Sequence, residues 1–416
     1  MANAEISLSE KDTQLPAGLA AKVPLFVGAG LVAIGLGAAF AFMQGGFKQF
    51  QFAYLTAFMT WLTVCLGAMI FLLITHVFRA GWHIGVRRIA EMVAANLWPW
   101  LPIAFLPIFI PVLMGDYTLY KWLNPEMLDP TSANYDGIVA GKSAFLNHKF
   151  LIIRLLGYFT IWALISRFLV GNSLGQDADA DPKRTRKFET RCAPLILVFA
   201  LSITFAGIDL QMSLEPHWFS TIWGVYLFAG ALGTFMAFLG LLTMLIQRNG
   251  GMGHVTDEHF HDIGKLMFAF TFFWGYIAFS QYMLIWYANI PEETIFYDLR
   301  QQGAWMPFSI ALLFGKLIIP FLGLMSRHIK RNRKTLAFWG FWMLTFHFVD
   351  HYYIVMPNLA KKLGEPGVLP HPGAEVLMWL GFGLLFTGLT LARAKSKSLV
   401  PLRDPRLRES LAFHNI

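Results

Sequence analysis

Residues 217–246 read HWFSTIWGVYLFAGALGTFMAFLGLLTMLI, with Glu215 before them, Arg248 after them and no Asp, Glu, Lys or Arg between. A hydrocarbon core of about 30 Å takes about 20 apolar residues in helix, so this run is long enough to cross a bilayer. Nine more runs bounded by charge, Pro or Gly fall at 23–43, 52–77, 85–113, 149–171, 192–212, 263–287, 304–326, 335–356 and 374–393. The composition agrees: of 416 residues, 56% are hydrophobic and only 14% charged, against about 25% charged in soluble domains. A soluble globular fold, a disordered chain and a disulfide scaffold are all excluded. The reading is an all-α integral membrane protein of about ten transmembrane helices, a membrane domain over 23–393 between tails at 1–22 and 394–416. The first run follows a polar, mixed-charge segment and has no small-residue cleavage site, so it reads as a span rather than a cleavable signal.

Charge sets the orientation. With the N-terminus inside, inner loops and tails hold 23 Lys and Arg, outer loops hold seven (Lys48, Lys121, Lys142, Lys149, Arg300, Lys361, Lys362), and Arg154, Lys265 and Lys316 lie within spans. This asymmetry places both termini in the cytoplasm. The net charge of +8 therefore reads as topology signal, not as a nucleic-acid footprint. Pro99, Pro102, Pro107 and Pro111 predict a kinked third span. The outer stretch 115–147 and the inner, charge-rich 173–190 read as surface loops. Cys65 and Cys192 alone cannot build a zinc knuckle, an iron–sulfur site or a covalent haem attachment, so metal redox centres belong to partners. His76 lacks an axial partner at its own depth, which argues against a haem.

A short echo connects Tyr120-Lys121-Trp122-Leu123-Asn124-Pro125-Glu126, after the third span, with Trp286-Tyr287-Ala288-Asn289-Ile290-Pro291-Glu292-Glu293, at the end of the seventh. Four spans separate the two, so the repeats share one orientation. The echo suggests two parallel four-helix bundles, about 52–212 and 217–356, plus two peripheral helices.

Charge within a span costs roughly 2.5–3.5 kcal/mol at its centre. Lys316 is the deepest, about midway along the eighth span, and Pro320 one turn later frees a carbonyl nearby. It reads as a paired, buried lysine rather than one that snorkels. Arg154 and Asp209 approach the outer side at matched depth, and an Arg–Asp pair satisfies both. His347, Asp350 and His351 share one face of the ninth span through their i, i+3, i+4 spacing, and Glu215 and His217 stand at the turn into the sixth. This outer cluster reads as a proton path, a quinone pocket or a satisfied structural network. Tyr276, Ser280, Gln281 and Tyr282 put hydroxyls and an amide along the seventh span, as a hydrogen-bonded chain or as links between helices. The inner cluster His254, Asp257, Glu258, His259, His261 and Asp262, with Lys265 a turn further in, matches no strict ligand template and reads as a solvated helix cap rather than a metal site.

Three blocks carry a family resemblance. Asp209 through Pro216, then Trp218, Ser220, Thr221, Ile222, Tyr226, Ala229, Gly230 and Ala231 form the first; Gly264-Lys265, Phe273-Trp274, Tyr276, Ser280 and Ile285 through Thr294 the second; Pro320-Phe321-Leu322, Ser326-Arg327 and Lys330-Arg331-Asn332 the third. Together they resemble the NrfD-like integral membrane subunits, C and F, of bacterial alternative complex III, a quinol:cytochrome c oxidoreductase. In C a histidine follows the first block's Trp, where this chain has Trp218-Phe219, so the chain is most similar to F. The resemblance implies a bacterial inner-membrane subunit without a bound redox centre of its own. The quinol, such as menaquinol, would bind mainly on the sister NrfD-like subunit beside the iron–sulfur subunit. Haem c and iron–sulfur clusters would sit on partner subunits, with c-type cytochromes and a terminal oxidase as further neighbours. It also implies scaffolding and proton translocation, with Asp209, His217, Tyr226, Lys265, Tyr276 and Ser280 as the matching polar residues. Two rivals stay open: a subunit that binds quinone itself, and a standalone secondary transporter coupling ions through Lys316 and Asp350.

Overall fold

The computed structural model describes residues 8–415, and all regular secondary structure among them is helical. Eight helical segments are long and apolar enough to cross a membrane. In chain order the long elements are α1 (Val23–Val77), α2 (Ile84–Ala94), α3 (Trp100–Leu113), α4 (His148–Asp179), α5 (Lys183–Leu210), α6 (Trp223–Arg248), α7 (Asp257–Ala288), α8 (Pro291–Arg300), α9 (Trp305–Leu324), α10 (Arg333–Lys362) and α11 (Gly373–Ala394). α10 is long but less apolar, because its sequence carries His347, Asp350 and His351 midway and paired basic residues at each end.

α1 joins the first two runs with hardly a loop. Gly45 (φ −157°, ψ 24°) and Gly46 (φ 64°, ψ −151°) leave helical geometry, and the second of these conformations is open only to glycine. The chain reverses there. The arm 23–44 runs antiparallel to α11, so close that a Cβ on Gly30 would stand 2.6 Å from the Leu385 nitrogen and one on Gly381 2.7 Å from that of Ile34. The arm 47–77 runs along α11 in the other sense, with Gln49 Nε2 donating to Glu375 Oε1 (2.9 Å) and Trp61 Nε1 to the Trp379 carbonyl (2.9 Å). Small residues let the backbones approach where water supplies no hydrophobic drive. The most apolar windows of α1 and α6 are 94% and 83% buried, against half or less in every other such helix, so these two make the centre and the others its wall.

Three expectations change. The kink expected in the 85–113 run is a full break, since α2, a short 3₁₀ turn Ala95–Leu97 and α3, starting after Pro99, together make one of the eight membrane-length segments. α2 is wholly buried, and with it Arg87 and Arg88, which sequence reading treated as topology charges. Arg87 pairs with Glu91 (2.9 Å) and Asp404, and Arg88 with Glu91 (3.0 Å) and Asp177 (2.6 Å). The C-terminal segment supplies Asp404 and covers the helix. Nor is Arg300 a loop charge: it is buried, its N–H groups bonding the carbonyls of Tyr353 (3.0 Å), Phe296 (2.8 Å) and Ile354 (2.7 Å).

The two echoing segments take different shapes. Lys121–Leu123 is a 3₁₀ turn with Trp122 buried, whereas Trp286 and Tyr287 end α7 exposed. Both described termini meet at one end of the bundle, where the Leu399 N–H bonds the Thr13 carbonyl (2.7 Å); the 115–147 loop lies at the other, called here the loop end.

Candidate functional site

α9 is a helix with a fault in it. Leu313–Ile318 is a π-turn, in which the Ile319 N–H bonds the Phe314 carbonyl five residues back. In that register the next donor is Pro320, which has no N–H. The Gly315 carbonyl takes the Trp342 indole N–H instead, at 2.7 Å. Such single-turn bulges re-aim side chains and recur at functional sites, and this one holds Lys316.

The Lys316 ammonium bonds Asp350 Oδ2 and lies 4.2 Å from the Trp274 ring centre. Lys316 and Asp350 keep only 9% and 3% of their side chains exposed, so each charge depends on the other. Asp350 Oδ1 accepts from the Tyr226 hydroxyl. On the other side Lys316 Nζ reaches His347 Nδ1 at 3.5 Å, the loosest link. His347 Nε2 lies 2.8 Å from Thr63 Oγ1, which also faces His351 Nε2 at 3.3 Å, and His351 Nδ1 faces Gln211 Nε2 at 2.8 Å.

Donor bookkeeping orders this chain. An ammonium and an amide NH₂ only donate, so both histidines accept at Nδ1 and carry their protons on Nε2. Both then donate to Thr63, whose own proton goes to the Met59 carbonyl (2.8 Å). The run Tyr226, Asp350, Lys316, His347, Thr63, His351, Gln211 is thus continuous, drawn from α6, α9, α10, the inner arm of α1 and the loop end of α5. A Cβ on Gly230 would come within 3.3 Å of His347 Cε1, so α6 makes room for that ring by having no side chain there.

The Arg154–Asp209 pair forms but stays apart. Arg154 Nε and Nη2 grip the two Asp209 oxygens at 2.8 Å each, Nη1 bonds the Phe145 carbonyl (2.8 Å), and the Tyr158 hydroxyl donates to Asp209 Oδ2 (2.7 Å). Every donor nitrogen has a partner, and among the described residues no hydrogen bond connects this cluster to the lysine chain. Glu215 and His217 form a third group at the loop end. Glu215 receives Lys121 (3.1 Å), Lys361 (2.7 Å) and His217 Nδ1 (2.8 Å), and His217 Nε2 reaches Asp136 (2.6 Å). Burial alone would raise the Glu215 carboxyl; Lys121 and Lys361 outweigh it and hold it at about 2.

No protein-family model and no curated protein matches the chain. Its chemistry has to be read from the geometry.

The remaining expected residues separate. Tyr276 is exposed and Ser280 half-buried, whereas Gln281 and Tyr282 turn toward a cavity, so the hydroxyls of α7 do not form one string. Lys265 lies at the terminal end, bonded to Asp262 and to Asn415 Oδ1 (2.7 Å). The histidine and acid cluster beside it is no solvated cap. His259 and Glu258 are buried, joined to Ser410 (3.2 Å) and to Arg331 (3.0 Å) respectively, because the C-terminal segment folds over them. Among the described residues no group of three or more His, Cys, Asp or Glu has metal-site geometry. His76 does have a neighbour that sequence reading missed, His83 at 5.9 Å between ring centres, yet it stacks on Phe188 at 4.0 Å. Thr63 and Gln211 were also missed. Thr56, Thr60 and Thr63 recur at helical spacing in one span, which is the signal that could have marked Thr63.

Proposed function

We propose that this chain is the F-type integral membrane subunit of a bacterial quinol:cytochrome c oxidoreductase of the alternative complex III kind, supplying scaffold and a proton route. The observation that carries the reading is the hydrogen-bonded chain from Tyr226 to Gln211 around a buried lysine. Lysine can lose its proton where arginine cannot, and acids and histidines placed in spans tend to serve transport. Asp350 takes or returns the lysine's proton, and His347 takes a proton at Nδ1 and releases the one on Nε2 to Thr63. The Thr63 hydroxyl passes its own proton to His351 Nε2 only after that nitrogen has lost its proton, the imidazole then holding it at Nδ1 against the Gln211 amide turned to present its unpartnered oxygen.

In this reading the Gly45–Gly46 reversal divides α1 into two spans and α10 adds one more, giving ten. The bundles then cover about 52–212 and 217–356, and the termini lie in the cytoplasm. The sister NrfD-like subunit, the iron–sulfur subunit and the c-type cytochromes carry the electrons.

The chain should be tagged in its native membrane, purified gently, and tested for a haem spectrum and quinol:cytochrome c reductase activity. Haem-bearing partners with activity are the expected result; a colourless solitary chain that drives uptake in liposomes would replace this reading with a transporter. Within the complex, Lys316→Met should lower proton release per quinol at least twofold with subunit composition unchanged. Unchanged coupling would remove Lys316 from the route.

A further inference from the structure

α10 and α11 meet at Phe348 and Trp379, whose rings stack with centres 5.0 Å apart. From that contact toward the terminal end they leave a groove of about 600 Å³, within the range of about 300 to 1,000 Å³ that ligand pockets cover. α6 and both arms of α1 bound it, with Trp61 and Phe238 edge to face at 5.3 Å as its floor. Phe341 and Leu380 line it and are 65% and 48% exposed. It therefore opens between α10 and α11, toward the surrounding lipid.

The groove has two chemically distinct parts. Apart from Thr387 and Arg248, every residue that lines it is apolar or glycine, so its length suits hydrocarbon. Its terminal end is cationic. Arg248 lies there, one turn beyond Leu245 on α6. Lys334 precedes Ala337 by one turn on α10, and Lys22 precedes Phe26 by one turn at the start of α1, where the Phe26 N–H bonds the Lys22 carbonyl (3.1 Å). Residues so spaced share a helix face, which puts cations from three helices over the same groove. All three are exposed and enter no ion pair or side-chain hydrogen bond among the described residues. The acids that follow α6 are engaged elsewhere: Asp257 with Arg333 (3.1 Å), Glu258 with Arg331 (3.0 Å) and Asp262 with Lys265. A plain hydrocarbon would leave the three cations unanswered, and a soluble anion would leave the groove unfilled. The complement of both parts is an amphiphile with an anionic head and long apolar tails, whose headgroup long basic side chains reach from a helix end.

We propose that this groove holds an anionic diacyl phospholipid from the leaflet at the terminal end, its acyl chains between α10 and α11 and its phosphate among Arg248, Lys334 and Lys22. Bound there, the lipid bridges α11 and the first arm of α1 to α6 and α10. The inference rests on the groove and its cations. It needs neither the partner subunits nor proton movement through Lys316, and so goes beyond the function proposed above.

The test uses the chain purified in mild detergent with whatever partners it holds, a phosphatidylglycerol carrying a diazirine on one acyl chain, and peptide mapping of the cross-link. The label should fall within 238–245, 337–344 or 379–387. Unlabelled phosphatidylglycerol should displace it at least tenfold better than phosphatidylcholine with the same chains. Arg248→Gln should weaken binding about fivefold, the value of one basic residue near an anionic headgroup. Replacing Lys334 and Lys22 by Gln as well should bring phosphatidylglycerol down to the phosphatidylcholine level. High salt should weaken binding to the unmodified chain and not to that triple variant. Ala337→Trp fills the groove and should cut labelling at least tenfold; Leu384→Trp does the same from the α11 wall if the first variant does not accumulate. Labels scattered over many helices with equal displacement by the two lipids would mean ordinary boundary lipid and overturn the proposal. So would a label confined to other chains, as when a neighbour's helix fills the groove, phosphatidylglycerol affinity unchanged in the triple variant, or labelling unchanged in both filled variants.

Discussion

Two of the buried ion pairs among these helices are built in opposite ways. Arg154 and Asp209 form a closed unit, with the guanidinium held bidentate, its remaining nitrogen on a carbonyl and a tyrosine on the acid. Its cation cannot release a proton, because arginine stays charged. Lys316 and Asp350 form an open unit, flanked by Tyr226 on one side and by two histidines and a threonine on the other. The first fastens α4 to α5 where the loop 115–147 returns. The second keeps an ionisable group in contact with others that can exchange protons. A buried charge pair is thus not evidence of one role; what surrounds it decides.

Breaking the closed unit should have the largest effect on stability. Arg154→Met leaves Asp209 buried without its cation, at a cost of about 3–5 kcal/mol, read as loss of folded chain in membranes or a fall in its melting temperature. Asp350→Asn should cost less, about 2 kcal/mol, because the lysine it strands can become neutral by giving up its proton. Proton coupling should nonetheless disappear in the variant that still assembles. Equal destabilisation by the two substitutions would erase the contrast.

The loop end gives a pH-dependent comparison. Glu215 is held at about 2, below its ordinary 4.5, so it stabilises the loop fully above about pH 4.5. That contribution fades as pH falls toward 2. Protease cutting within 115–147 should rise across that window, and Glu215→Gln should show the acid behaviour already at neutral pH, at a cost of about 2 kcal/mol. Thr63→Val keeps the shape but takes the acceptor from two buried histidine N–H groups, and should cost about 1–3 kcal/mol. It should also slow proton transfer several-fold in the open unit, and full-rate coupling in this variant would take Thr63 out of the route.

Long apolar runs were enough to read a helical membrane protein, since a helix that must satisfy its own backbone bonds in lipid shows its length in composition alone. The i, i+3, i+4 face of His347, Asp350 and His351 was legible for the same reason: it depends on one helix and its period. Matched depth also brought out Arg154 with Asp209. What crosses between helices was not legible. That Lys316 meets Asp350, that Thr63 stands between two histidines, and that Gln211 ends the chain depend on how five segments far apart in sequence come to lie side by side. No local pattern encodes those distances. The burial of Arg87, Arg88 and Arg300 was hidden likewise, because a charged residue near the end of an apolar run looks the same whether water or another segment of the chain covers it. The sequence by itself determined the helices and the charges they must accommodate; the tertiary structure alone decided which charges are closed off and which are connected, because hydrogen bonding at 3 Å is a property of packing.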